Sequence, residues 1–224
     1  MQEKSLTMVS LTVDDQNIQV PAGNSVLSAC LSAGIYIPHL CWLEGDTPAD
    51  APAACRLCFV EIDGFGEPAA ACAVTVENGM TVHTGTETVR RLQKTALKLL
   101  LSVHRVDCKY CPANKACELQ TIAAFLGTGL RCKPFERVLK EPDVDSRHPV
   151  LDYYPNRCVL CGICVRVCRQ QHQQSQLSFA GRGFDTVVGY FDQDPVAAAE
   201  CLSCRACLDA CPTGALVQRT EDDG

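Results

Sequence analysis

Alternating apolar and polar residues predict β-strands at the start of the chain. Residues 5–13 alternate in this way, a polar turn follows, and residues 18–21 predict the returning strand of a hairpin. Asn24 or Ser25 is then suited to cap a short helix. The predicted apolar face of that helix carries Val26, Leu27, Cys30 and Leu31.

Further strands are predicted before residue 84. Residues 57–62 and 69–76 read as strands joined by an Asp63-Gly64 turn. Asn78-Gly79 predicts a second hairpin, with residues 81–83 as its returning strand. Hairpins combined with one crossing helix favour a compact β-grasp-like sheet.

The hydrophobic pattern changes to a helical period near residue 86. Residues 86–103 place apolar side chains on one face and basic side chains on the other, with Thr86 or Thr88 as the N-cap. The apolar face is predicted to consist of Val89, Leu92, Ala96, Leu99, Leu100 and Val103.

A second helix and a connector follow. Residues 118–130 predict a helix that is broken at Gly127 or Gly129. Residues 131–156 contain four prolines and many charges, which indicates an ordered connector on the surface. A domain boundary near residue 150 is therefore predicted.

A cysteine motif that occurs twice is the strongest chemical signal. Both copies have the spacing C-x2-C-x2-C-x3-C, and each cysteine of the second copy lies 43 residues after its counterpart. This spacing is typical of bacterial ferredoxins, in which the fourth cysteine of each copy binds the cluster of the other. One predicted [4Fe–4S] ligand set, the first cubane set, is Cys158, Cys161, Cys164 and Cys211. The second cubane set is Cys168, Cys201, Cys204 and Cys207.

Disulfides and structural zinc are the alternatives for these thiols. Disulfides require an oxidising compartment, and no secretory signal precedes the first predicted strand. Structural zinc uses two ligand pairs separated by a spacer. Four thiols within eleven residues, twice, with Pro212 after the last, favour cubanes.

Four earlier cysteines have the spacing C-x13-C-x2-C-x13-C and fall on the predicted β-grasp sheet. Plant-type ferredoxins also combine a C-x2-C pair with a distant cysteine, although their first loop is shorter. A [2Fe–2S] cluster is predicted, and a zinc site is the alternative. The ligands, here called the [2Fe–2S] set, are Cys41, Cys55, Cys58 and Cys72.

One histidine and three cysteines follow the long helix in the spacing H-x3-C-x2-C-x5-C. A cubane needs a fourth ligand, which a neutral imidazole can supply. The alternative role of this histidine is a helix C-terminal cap favoured by the helix dipole, and spacing alone leaves both roles open. The four residues, here called the His/Cys3 set, are His104, Cys108, Cys111 and Cys117.

The remaining histidines and cysteines lie outside these metal-binding motifs. Two of the 17 cysteines remain: Cys30, predicted to be a core residue, and Cys132, which has no assigned partner. The histidines outside the motif are predicted to be surface or core residues; they are His39, His83, His148 and His172.

Composition narrows the classes of function. The 224 residues carry a net charge of −6 without a long basic run, which argues against nucleic-acid binding. No apolar stretch approaches the roughly 20 residues of a membrane span, so no direct membrane insertion is expected. A cysteine-rich chain without an export signal predicts a cytoplasmic protein whose thiols bind metals. No dinucleotide fingerprint, phosphate loop or nucleophile triad occurs, so no catalytic residue is predicted.

The order of these motifs resembles one family. A [2Fe–2S] β-grasp domain, the His/Cys3 motif ending in Cys117-Glu118-Leu119-Gln120, and a two-cubane ferredoxin are similar to the N-terminal part of the large iron–sulfur subunit of respiratory complex I. The same block resembles parts of iron-only hydrogenases and of some NAD-linked formate dehydrogenases. It also resembles the short diaphorase iron–sulfur subunit of NAD(P)-linked hydrogenases. Two departures are Arg169, where a proline is usual, and the long loop 41–55.

The resemblance implies an α+β fold with three domains. These are a [2Fe–2S] β-grasp domain at 1–84, a helical His/Cys3 domain with its connector at 85–150, and a two-cubane ferredoxin-like domain at 151–224. It also implies that His104 is a cluster ligand. The short remainder after Cys211 favours the hydrogenase-type diaphorase subunit over forms that continue into catalytic domains.

The implied function is transfer of single electrons through one [2Fe–2S] and three [4Fe–4S] clusters. The expected partners are a flavin-containing NAD(P)H dehydrogenase subunit and a hydrogenase-type or other terminal redox subunit. The alternatives are an electron-transfer subunit of a formate dehydrogenase or complex I-like assembly, and a multi-zinc scaffold protein.

Overall fold

A computed structural model describes residues 7–172, 175–191, 201 and 203–219. The chain forms two compact units, one ending at Leu97 and the other beginning at Lys98. Helices and strands both occur, as expected for the predicted α+β class. Residues 5 and 6 of the predicted first strand lie outside the described residues, and the division into three domains stays a prediction.

The first unit contains a five-stranded sheet. Its strand order is β2-β1-β5-β3-β4. β1 and β2 form the antiparallel hairpin that the alternating pattern predicted, and β3 pairs antiparallel with β4. The strands are β1 (Met8–Val13), β2 (Gln16–Pro21), β3 (Phe59–Ile62), β4 (Ala69–Ala70) and β5 (Thr81–His83).

The pairing of β5 differs from the predicted hairpin. This strand lies between β1, to which it is parallel, and β3, to which it is antiparallel. The central position buries Val82 completely, whereas a local hairpin would have left it near an edge. The predicted strand at 69–76 is also shorter, because a 3₁₀ turn at Ala71–Ala73 follows β4 and carries Cys72.

One short helix belongs to the core of the first unit. Helix α1 (Val26–Ser32) is capped by Ser25, whose Oγ accepts a hydrogen bond from the Ser28 N–H at 3.0 Å. Cys30 is fully buried, so its predicted role as a core residue is confirmed. The core side chains around it include Leu11, Val13, Leu27, Ile37, Val60 and Val82.

Helix α2 (Glu87–Ser102) confirms the predicted cap but corrects the predicted face. Thr86 Oγ1 accepts a hydrogen bond from the Val89 N–H at 3.1 Å. Leu99, placed on the apolar face by its spacing, is 50 % exposed, whereas Gln93 is fully buried. The Gln93 amide donates to the Phe59 carbonyl at 3.1 Å, and this hydrogen bond compensates the burial of a polar side chain.

The second unit consists of short helices and two small sheets. β6 pairs antiparallel with β9, and β7 with β8. Helix α3 ends before Gly127, whose φ of +61° fits the predicted helix break. The elements are α3 (Glu118–Phe125), β6 (Leu151–Tyr153), α4 (Ile163–Gln171), β7 (Leu177–Ala180), β8 (Val187–Tyr190), α5 (Ala206–Asp209) and β9 (Leu216–Gln218).

Asn156 fixes the connector of the second unit. Its side chain is nearly buried, accepts a hydrogen bond from the Lys140 N–H at 2.7 Å and donates to the Lys140 carbonyl at 2.9 Å. It also donates to Asp143, and its backbone carbonyl accepts the Arg105 N–H. The connector is therefore an ordered segment held next to the cysteine motifs. In the part of the chain that the structure describes, no helix is long and apolar enough to cross a membrane.

Candidate metal centres

The first unit brings the whole [2Fe–2S] set together. Cys41 Sγ lies 3.5 Å from Cys55 Sγ, and Cys58 forms a second hydrogen-bonded pair with Cys72. Electrostatic interactions join the two pairs, between Cys55 and Cys58 and between Cys41 and Cys72. All four thiols are buried.

The two cysteines of each pair differ in the pKa of their thiols. The hydrogen bond with Cys55 lowers the pKa of Cys41 to about 6, and the hydrogen bond with Cys58 lowers the pKa of Cys72. The same bonds, together with burial, raise the pKa of Cys55 and Cys58. The thiolate form of Cys41 is thus favoured at pH 7, and a bound cationic centre would favour the thiolate form of the other three.

The long loop between Cys41 and Cys55 is ordered by local turns. Asp46 Oδ2 accepts a hydrogen bond from the Leu43 N–H at 2.8 Å. Asp50 Oδ2 accepts bonds from the N–H and hydroxyl of Thr47, at 3.2 and 2.6 Å. Side-chain oxygens that bond to nearby N–H groups stabilise such turns, so the extra length does not separate the ligands.

His104 lies just beyond α2, in a buried position that suits a metal-binding imidazole. Burial lowers the pKa of its imidazole to about 4, so the ring is neutral at pH 7. Its Nδ1 atom is buried without a hydrogen-bond partner among the described residues. A buried polar atom without a partner costs free energy. A metal ion bound at this nitrogen would remove that cost, whereas a helix-capping role leaves Nδ1 unexplained.

The three cysteines of the His/Cys3 set lie near one another. Burial raises the pKa of Cys117, and the charges of Cys111 and Cys108 raise it further. Cys108 begins a 3₁₀ turn at Cys108–Tyr110, and Cys117 occupies the N-cap position of α3. The turn and the helix start therefore hold the three thiols within electrostatic range.

The eight thiols of the repeated motif form two groups. Each group combines three cysteines of one copy with the fourth cysteine of the other copy. Burial raises the pKa of Cys164, and the charges of its neighbours raise it further, in the order Cys158, Cys161, Cys211 and then Cys207. Burial likewise raises the pKa of Cys207 to about 12, followed by the charges of Cys168, Cys201 and Cys204. Two cavities match this grouping. One is lined by the whole first cubane set, and the other by the whole second cubane set.

Grouped buried thiols of this kind fit a cationic metal centre. Burial and the neighbouring thiolate charges raise the pKa of Cys158, Cys164 and Cys207 in these cavities. Iron bound by these cysteines would supply the compensating positive charge. Among the described residues no group of His, Cys, Asp or Glu side chains closes tightly around a single metal ion.

Backbone N–H groups donate to sulfurs of the two predicted cubane sets. Leu160 donates to Cys158 Sγ at 3.4 Å, Ala215 donates to Cys211 Sγ at 3.3 Å, and Gln176 donates to Cys168 Sγ at 3.3 Å. Hydrogen bonds to ligand sulfurs are one of the means by which a protein tunes an iron–sulfur centre.

Thr213 connects two ligand sets of the second unit. It is 1 % exposed; its carbonyl oxygen lies 3.8 Å from Cys111 Sγ and its hydroxyl 4.0 Å from Cys211 Sγ. The next residue, Gly214, has a φ of +65°, and a Cβ there would lie 2.8 Å from the Ala113 Cβ. Only glycine permits this approach, which brings the His/Cys3 set close to the first cubane set.

Sequence spacing did not single out three residues that contact these sites. They are Thr213, Tyr153, whose hydroxyl interacts with the Cys158 thiol, and His172, whose Nε2 lies 3.3 Å from Cys204 Sγ. His172 was expected to be an ordinary surface or core residue. No local pattern marks any of the three, because each contact depends on the fold.

Three family models match the chain in the predicted order. Residues 6–87 match a 2Fe-2S iron-sulfur cluster binding domain, and residues 93–129 match the NADH-ubiquinone oxidoreductase-G iron-sulfur binding region. Residues 157–215 match a 4Fe-4S dicluster domain.

One chain of known structure is similar over nearly the whole length of this chain. A chain in the crystal structure of an NAD+-reducing [NiFe]-hydrogenase in the H2-reduced state is 31 % identical, with a TM-score of 0.80 over 95 % of this chain and 88 % of that chain. This chain belongs to the iron–sulfur subunit family of NAD(P)-linked hydrogenases and complex I-type oxidoreductases. The family resemblance drawn from the motifs is thereby confirmed.

Two longer members of the family match over nearly all of this chain. NADPH-Fe(3+) oxidoreductase subunit alpha of Geobacter sulfurreducens is 35 % identical over 95 % of this chain and 24 % of its own length. NADP-reducing hydrogenase subunit HndD of Solidesulfovibrio fructosivorans is 34 % identical over 95 % of this chain and 36 % of its own length. The chain thus spans about a quarter to a third of these relatives.

Proposed function

We propose that this chain is an electron-transfer subunit that holds one [2Fe–2S] and three [4Fe–4S] clusters. The crossed grouping of the eight motif thiols carries the proposal, because ferredoxin motifs that exchange their fourth cysteine bind paired cubanes. The proposed ligands are the [2Fe–2S] set, the His/Cys3 set and the two cubane sets, sixteen residues in all.

The residues around the ligands would set the redox properties of each site. When bound, such clusters accept and release one electron at a time. N–H donors to the sulfurs of Cys158, Cys168 and Cys211 stabilise negative charge there. The neutral imidazole of His104 in place of a thiolate removes one negative charge, which favours a higher potential at that site.

The chain would conduct electrons between a flavin-containing NAD(P)H dehydrogenase subunit and a hydrogenase-type terminal subunit. Support comes from its similarity to HndD and to a chain of the NAD+-reducing hydrogenase. The contacts of Thr213 with Cys111 and Cys211 support electron transfer between the His/Cys3 set and the first cubane set. The proposed location is the cytoplasm, where reduced thiols remain available for iron.

A complex I-like or metal-reducing assembly is the second candidate. It is favoured by the similarity to NADPH-Fe(3+) oxidoreductase subunit alpha and to an NADH-quinone oxidoreductase chain of Rhizobium meliloti. Both candidates assign the same conducting role to this chain, and they differ in the subunit that receives or supplies the electrons.

Anaerobic affinity purification of the tagged chain from its native cells tests the assignment. The expected result is co-purification of a flavoprotein and a hydrogenase subunit, with EPR signals that appear when NADH or NADPH is added. A quinone-reducing or ferric-reducing subunit in place of the hydrogenase selects the second candidate. A chain that elutes alone, without a redox partner, contradicts both.

A further inference from the structure

The helix that presents Cys168 also positions a histidine toward the other copy of the motif. Helix α4 ends at Gln171, and the next residue, His172, donates its backbone N–H to the Cys168 carbonyl at 3.0 Å. Its ring extends to Cys204, with Nε2 3.3 Å from Sγ. Cys168 and Cys204 belong to the same ligand set, so His172 links its two halves.

The direction of this hydrogen bond follows from the chemistry of the two groups. A thiolate that binds iron has no proton to donate, whereas either nitrogen of an imidazole can carry one. In the bound state the hydrogen must therefore lie on Nε2 of His172. The Gln176 N–H donates to Cys168, so among the described residues the second cubane set receives both a backbone donor and a side-chain donor.

A second histidine lines the same cavity and makes different contacts. His148 Nδ1 accepts a hydrogen bond from the Val150 N–H at 3.2 Å, and its ring packs against Tyr190 with centroids 4.4 Å apart. This residue has similar size and chemistry, which makes it a matched control for His172.

We propose that His172 is a positioning residue that donates a hydrogen bond to the Cys204 thiolate and raises the reduction potential of the second cubane site. The inference rests on the proposed function, since it needs a cubane at this set. Reduction adds a negative charge that the ligand sulfurs share. A donor at one sulfur stabilises this reduced state more than the oxidised state.

Redox titration of the anaerobically purified complex, followed by EPR, tests the inference. His172→Phe removes the donor and retains a ring, whereas His172→Gln retains an N–H group at similar reach. In His172→Phe we expect the reduction equilibrium of one cubane to fall about tenfold, which is about 59 mV for one electron. His172→Gln should recover most of this shift. His148→Gln should shift the potential much less than His172→Phe, because the His148 Nδ1 atom is bonded to the Val150 N–H.

The outcomes separate this inference from the assignment of the clusters. A wild-type chain without cubanes overturns the proposed function before any variant is compared. A wild-type chain with full iron content, combined with unchanged potentials in His172→Phe, overturns only the role of His172. Loss of iron from both His172 variants also overturns it, because the residue would then be needed for assembly.

Discussion

His104 combines a buried neutral ring with an Nδ1 atom that lacks a partner among the described residues. If this nitrogen binds iron, His104→Cys should keep four irons at a lower potential, because a thiolate adds negative charge. His104→Ala should lose that cluster. Iron analysis and EPR-monitored titration measure both effects.

His83 provides the control for these variants. It is partly exposed and pairs with Asp63 in the first unit, so His83→Ala should change neither iron content nor potential. Unchanged EPR spectra and potentials in both His104 variants would remove His104 from the set of ligands.

Gly214 is constrained by its close approach to Ala113. Gly214→Ala would introduce a Cβ 2.8 Å from the Ala113 Cβ, and we expect it to lower the free energy of unfolding by about 1–3 kcal/mol. Because Cys111 Sγ lies beside the same position, the EPR signal of the His/Cys3 cluster should change as well. Anaerobic denaturation and EPR measure the two effects.

A variant at Gly127 is the control, because it introduces backbone strain without a steric clash. It also has a positive φ, of +61°, but nothing lies within 4 Å of its would-be Cβ. Gly127→Ala should therefore cost stability without altering an EPR signal. Equal spectral changes in the two variants would contradict the role assigned to Gly214.

The proposed ligands were chosen by spacing, because iron–sulfur sites require thiols at short fixed intervals. The residues that contact those cysteines could not be predicted from spacing. His172 reaches a cysteine 32 positions away, and the Thr213 carbonyl lies beside one 102 positions away. Only the folded backbone brings such pairs together.

At the scale of elements, the two exchanged cysteines are Cys168, which lies on α4, and Cys211, which lies just after α5. If Cys211 completes the first cubane set, the double variant Cys158→Ser, Cys211→Ser should lose the same four irons as either single variant. The double variant Cys201→Ser, Cys211→Ser should lose eight, because it breaks two clusters. Iron analysis distinguishes the cases, and an uncrossed arrangement predicts the reverse losses.

Helices α1, α2 and α3 and the first hairpin could be predicted from local pattern, whereas the position of β5 could not. The Asn78-Gly79 turn indicated a local hairpin, but Val82 is buried by pairing with β1 and β3, both distant in sequence. The predicted apolar face of α2 was wrong for a related reason. A hydrophobic pattern assigns the polar Gln93 to the exposed face, yet its hydrogen bond to the Phe59 carbonyl allows it to be buried.

At the scale of the whole molecule, burial is unequal between the two cubane sets. Three ligands of the first set, Cys158, Cys161 and Cys164, are buried, whereas three ligands of the second set are partly exposed. Solvent reaches exposed ligands more easily, so we expect the second cubane to be lost first in air with a chelator. Iron release followed with EPR measures this order, and earlier loss of the first cubane would contradict it.

The order of the motifs was enough to predict the family, because three cysteine patterns in one sequence are far more specific than any one alone. The three matched regions confirm that order. The same motifs implied redox partner subunits through the family resemblance, but they do not determine which terminal subunit binds, because that depends on surfaces outside this chain.

Metal analysis of the anaerobically purified chain tests the central claim most directly. The account predicts about 14 irons per chain with matching sulfide, and EPR signals from one [2Fe–2S] and three [4Fe–4S] clusters on reduction. A colourless protein that contains zinc in place of iron and sulfide would contradict it.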